Sequence, residues 1–135
     1  IIIGKGRAEY TPIWDPPDWS YHVTQIAMLA ALILFAAAYM PTNLKRFLRH
    51  PFLTGLALWS LSHLPVNGDL ASMILFGGFG VFALFDMWSS NRRGAEKSVQ
   101  KFPIYWDMVL IAFGVILFSV ILHLHPYLFG VSATP

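Results

Sequence analysis

The sequence predicts an all-α protein, a polytopic bundle of transmembrane helices. Three observations carry that prediction. Of its 135 residues, 56% are apolar and only 12% charged, about half the charge that a typical soluble domain carries at roughly 25%. The apolar residues come in long unbroken blocks, and the mean hydropathy is +0.59. Most of the basic residues sit in short segments between those blocks, as positively charged loops beside membrane helices do. One helical unit of this length makes a single transmembrane domain over residues 1–135.

Four complete spans are expected, at about residues 20–40, 51–64, 69–89 and 104–125. Ahead of them, Ile1-Ile2-Ile3 is too short for a signal peptide and reads as the tail of a preceding helix, in a chain incomplete at its N-terminus. Residues 4–22 form a connector kept out of a helix by Pro12, Pro16 and Pro17. Its Tyr10, Trp14, Trp19 and Tyr21 are the side chains that settle at a membrane–water boundary. Asp18 or Ser20 can cap the first span, whose alanines 27, 30, 31 and 36–38 offer close helix contacts on several faces.

The central hairpin organises the rest. Pro51 suits the first position of a helix, and Pro65 with Asn67-Gly68 ends that helix near His63 or Leu64. Fourteen residues reach only about 21 Å against a hydrocarbon core of about 30 Å. Either Phe47–His50 extend this helix or the 65–69 turn dips into the membrane. Asp69 can cap the third span, whose Gly77, Gly78 and Gly80 allow close approach of a backbone or a flat ligand. Residues 91–101 read as a solvated loop, and the last span closes on His123-Leu124-His125-Pro126-Tyr127.

Seven of the nine basic residues lie in loops 41–51 and 90–103, which two crossings place on one side, by charge the cytoplasmic one. The connector, the 65–69 turn and the tail then share the outer face with Glu9, Asp15, Asp18 and Asp69. That face also receives His22, His63, His123 and His125, with Asn67 beside them. Imidazoles from several helices at one level of a bundle are how membrane proteins hold haem b. His125 and His63 are the candidate iron ligands, with His22, Asn67 and Asp69 nearby. A metal ion is possible from the same ligands, although only Asp69 could supply a nearby carboxylate. His50 sits on the opposite side beside Arg46 and Arg49, where pairing with phosphate headgroups is expected. Asp86 and Asp107 read as charge partners of Arg92, Arg93 or Lys101.

Several classes are excluded. Without cysteine there is no disulfide, thiolate metal site or cysteine nucleophile. No phosphate loop, H-E-x-x-H helix or nucleic-acid motif occurs. A transporter fits poorly, for lack of internal repeats and of an acidic residue in mid-span.

Arg49-His50-Pro51, then Trp59 and SHLPVNGDLASMILFGGFG at 62–80, resemble the NnrU family. So do Pro16-Pro17-x-Trp19-x-x-His22 and the closing Leu124-His125-x-Tyr127-Leu128-x-Gly130, so that the similarity covers nearly the whole chain. The resemblance implies a small bacterial inner-membrane protein linked to nitrogen-oxide metabolism and denitrification. The family is also similar to zeta-carotene isomerase, a haem b protein that changes one double-bond geometry in a carotenoid. By that likeness His125 matches an axial ligand, and His50 and His63 fall on shared motif histidines. A redox role or isomerisation of a lipophilic polyene is therefore expected. The alternative is a non-catalytic accessory or assembly subunit of a respiratory or photosynthetic membrane complex.

Overall fold

The computed structural model describes residues 8–134, so the reading of Ile1–Ile3 falls outside the described residues. Four α-helices account for most of the chain: α1 (Trp19–Tyr39), α2 (Pro51–Val66), α3 (Leu70–Arg92) and α4 (Tyr105–Phe129). A short 3-10 turn at Asn43–Arg46 precedes α2. α1, α3 and α4 are long and apolar enough to cross a membrane. At 1.5 Å per residue they reach about 31, 34 and 37 Å, whereas the 16 residues of α2 reach only about 24 Å.

The helices pack as a row rather than a closed ring. α1 lies between α4 and α2, and α2 lies between α1 and α3. Between apolar helices in lipid, close approach depends on small residues rather than on expulsion of water. That rule sets both faces of α1. A Cβ on Gly55 of α2 would come within 3.0 Å of the Ala31 carbonyl oxygen and 3.2 Å of the Leu34 side chain. A Cβ on Gly114 of α4 would lie 2.4 Å from Ile33 Cγ1. Ala36 and Ala37 are buried with Leu110 of α4, flanked by Ile33, Met40 and Leu44. The expectation of alanine contacts on several faces therefore holds for Ala31, Ala36 and Ala37, while Ala30 is exposed.

Two helix ends differ from the sequence reading. α2 continues through Pro65 to Val66, and α4 continues through Pro126 to Phe129. Each proline lies in a final turn, where one missing N–H removes little of the ladder. The chain beyond it closes the helix instead: Asn67 N–H bonds to Leu64 O at 3.3 Å, and Gly130 N–H to Pro126 O at 2.9 Å. Gly130 does so at φ 75°, a left-handed cap that glycine adopts without strain. Phe47–His50 do not extend α2, so the helix remains short. Asp18 takes the N-cap position of α1 without a side-chain bond, and the hydroxyl of Ser20 donates to Pro17 O.

The basic end of the row is held by Asp107, and here the expected charge partner is replaced. No cation pairs with this carboxylate among the described residues. Oδ1 accepts from Thr42 Oγ1 at 2.6 Å and Asn43 N–H at 2.9 Å, and Oδ2 accepts from Asn43 Nδ2 at 2.7 Å. Asn43 also exchanges hydrogen bonds with the backbone of Phe102 in both directions. Neutral donors suffice because three of them converge on one carboxylate. Asp86 does meet its expected kind of partner, with Arg93 at 3.6 Å.

Two substitutions separate satisfied from unsatisfied polar groups. Asp107→Ala should lower the unfolding temperature in detergent, by the equivalent of about 1–3 kcal/mol for the donors left behind. Ser60 Oγ is fully buried against α3 with no hydrogen-bond partner among the described residues. Ser60→Ala should therefore be neutral or raise that temperature, and a marked loss would show that the hydroxyl has a partner.

Candidate functional site

The opposite end of the row gathers the sequence-predicted site residues, and its frame is backbone. The connector docks on the α2–α3 turn: Ile13 and Trp14 N–H both bond to Gly68 O, at 2.7 and 3.2 Å, and Leu70 N–H bonds to Thr11 O at 3.0 Å. Pro12 and Asp69 form an antiparallel bridge. Glycine at 68 is required by this contact, because a Cβ there would lie 1.8 Å from the Trp14 carbonyl oxygen. Its conformation is not left-handed, so close approach and not turn geometry explains the residue. Asp69 caps α3 as expected, accepting from the N–H and the hydroxyl of Ser72. Asn67 Nδ2 donates to His63 O at 2.8 Å, tying the turn to the last turn of α2.

His63 lies on the α3 side of α2. Its ring stacks on Phe76 with centroids 4.7 Å apart and lies 5.2 Å from Trp59, which also meets Phe76 and Phe79 edge-on. Its Nδ1 is 2.8 Å from the Trp59 carbonyl oxygen. A carbonyl can only accept, so Nδ1 carries a proton. His125 repeats the arrangement with different parts. Its Nδ1 lies 2.8 Å from Val131 O, and its ring lies 4.7 Å from Phe129. An imidazole whose Nδ1–H is held by a carbonyl is the usual form of a metal-ligating histidine.

The two rings are not joined by any described contact. His63 faces α3, His125 packs on its own tail, and α1 stands between α2 and α4. The tail does reach α1: Ala133 O accepts from Gln25 Nε2 at 3.1 Å. Val131 lines a cleft of about 240 Å³ together with Tyr10, Pro16, Asn67, Gly68 and Asp69. His22 and His123 are exposed, and neither ring has a described partner. Among the described residues no three of His, Asp and Glu are placed to hold a metal ion. Each of His63 and His125 is an imidazole of the kind that can hold a haem iron, but the structure presents them singly, on either side of α1, and not as a pair.

His50 lies at the other end and has a protein partner. Its Nε2 is 2.9 Å from Asn91 Oδ1, which also accepts from Arg49 Nη1 at 2.6 Å. The connector–turn contact and the Arg49–His50–Asn91 cluster were not apparent from the sequence. The sequence carried no signal for the first, since Asn67-Gly68-Asp69 reads as an ordinary tight turn and helix cap.

The chain matches the NnrU protein family over residues 1–133. It belongs to the NnrU family. No curated protein and no solved structure matches it. In this NnrU chain, the motif residues Pro16, Trp19, Asn67, Gly68 and Asp69 all lie at the connector–turn end of the helix row. The RHP motif lies at the opposite end, where α2 begins.

Gly68→Ala should force the connector off the turn. Hydrogen exchange at the Ile13 and Trp14 amides should speed up strongly in this variant while exchange in mid-α1 stays unchanged. Unaltered protection at those two amides would refute the close approach.

Proposed function

We propose that this NnrU-family chain is a haem b protein of the bacterial inner membrane, with the haem at the connector–turn end. Loops 41–51 and 90–103 then lie on the cytoplasmic side, as their seven basic residues favour. All four helices cross, α2 as a short span whose far turn is covered by the connector instead of by water. His125 and His63 are the proposed haem ligands, supported above all by the carbonyl that accepts from each Nδ1–H, although α1 stands between the helices that carry them. Asn67 and Asp69 support the site indirectly, through the turn that carries them, and His22 lies at the same end. Haem b there would supply one-electron chemistry or an iron centre acting on a bound polyene. The chain's own part is to hold the ligands in one tautomer and to shield them with Trp59, Phe76 and Phe129. The activity is either a redox step linked to nitrogen oxides or cis–trans isomerisation of a lipophilic polyene.

An accessory role in a larger membrane complex is the second reading. It is supported by Gly77 and Gly78, which have nothing within 4 Å of where a Cβ would be. Small residues on an open helix surface let another transmembrane helix come close. Co-purification with a large complex in mild detergent favours this reading.

Absorption spectra of the purified protein, oxidised and reduced, decide the first reading. A Soret band with a pyridine-haemochrome signal is expected, and its absence would overturn haem binding. His125→Ala and His63→Ala should each shift or abolish that band. A spectrum unchanged in the double variant would leave the haem and remove these ligands.

A further inference from the structure

The basic end of the row carries a cleft that haem binding does not use. It opens between the last turn of α1 and the first turn of α2, and residues 96–98 form one side. Its volume is about 420 Å³, within the range of small-molecule sites. Ala38, Pro51, Phe52 and Leu53 give it apolar walls, and Lys45, Arg49, His50 and Lys97 surround them. Glu96 is the single acidic lining residue. Three full positive charges therefore face one negative charge, and none of the three has a carboxylate within ion-pair distance among the described residues.

The cations are supplemented by backbone donors. α2 begins at this cleft with Pro51 in its first turn, and its N-cap, His50, offers no side-chain hydrogen bond. The first N–H groups of a helix have no partner inside it, and they carry the positive end of the helix dipole. Pro51 has no N–H, so those of Phe52 and Leu53 are the ones left at the cleft. Two contacts hold the cleft's shape. Ser98 N–H bonds to Lys45 O at 3.1 Å, tying the 95–103 segment across it. Asn91 holds one N–H of Arg49, leaving the rest of the guanidinium fork for another acceptor.

We propose that this cleft binds a phosphate group, carried either by a lipid headgroup or by a free anion. Uncapped helix donors together with an arginine fork are suited to phosphate oxygens. The flanking lysines supply charge without fixed geometry. The apolar walls beside them accommodate the first carbons of an acyl glycerol, and a free anion needs only the polar part.

Calorimetric titration of the purified, delipidated chain in detergent tests this. The probes are dihexanoyl phosphatidylglycerol, inorganic phosphate, and dihexanoylglycerol, which has the same chains but no phosphate. Saturable binding that weakens with added salt is expected for the phospholipid, for inorganic phosphate, or for both. Binding of the phospholipid alone assigns a headgroup site, and equal binding of inorganic phosphate assigns a free-anion site. Lys97→Gln should weaken binding about two- to fivefold, and Glu96→Gln should tighten it by a similar factor. Both side chains are exposed, so neither change disturbs packing, and the gain from Glu96→Gln cannot arise from unfolding. The proposal is overturned if neither phosphate compound binds, if dihexanoylglycerol binds equally well, or if both variants leave affinity unchanged.

Discussion

The structure depends on how the backbone is satisfied at the end of a helix too short for its neighbours. α2 is about 7–13 Å shorter than the other three helices, and its last turn leads directly into the 67–69 turn. A peptide group without a partner in an apolar medium costs several kcal/mol. The connector removes that cost by giving two N–H groups and one carbonyl to Gly68 and Leu70. The other features of this end follow from that contact. Glycine is needed at 68 because the Trp14 carbonyl lies against it, and Asp69 can cap α3 because the bridge to Pro12 holds it extended.

The opposite end solves the same problem with side chains. Thr42, Asn43 and Asp107 knit the α1–α2 loop to the start of α4, while Arg49, His50 and Asn91 join the start of α2 to the end of α3. Between the two ends the helices touch through Gly55, Gly114 and alanine, and most of the large apolar side chains face outward. Dispersion between close backbones, fixed at both ends by polar clasps, replaces the apolar core of a soluble protein.

Long blocks of apolar residues made α1, α3 and α4 readable, and Asp69 was readable as a cap because an acidic residue preceded an apolar run. Asp86 was readable as a charge partner from its place near the basic segment, with Arg93 one of three cations in reach. Pro65 and Pro126 marked helix ends too early, since a proline in a final turn costs little. Asp107 was assigned a cation because charge was the only feature visible in the chain, whereas its partners, Thr42 and Asn43, looked like ordinary loop residues. Topology correctly collected the connector, turn and tail at one end, but it does not specify rotation about a helix axis. That rotation turns His63 toward α3 and leaves His125 on the far side of α1.

The bonds from Ile13 and Trp14 to Gly68 also impose an order of assembly. The connector is synthesised before α2 and α3, so its N–H groups have no Gly68 carbonyl to meet until the hairpin has formed. Docking can only follow formation of the hairpin. A long-range backbone contact of this kind acts as a checkpoint: the helices can all be formed while the end that carries the motif residues is still unbuilt.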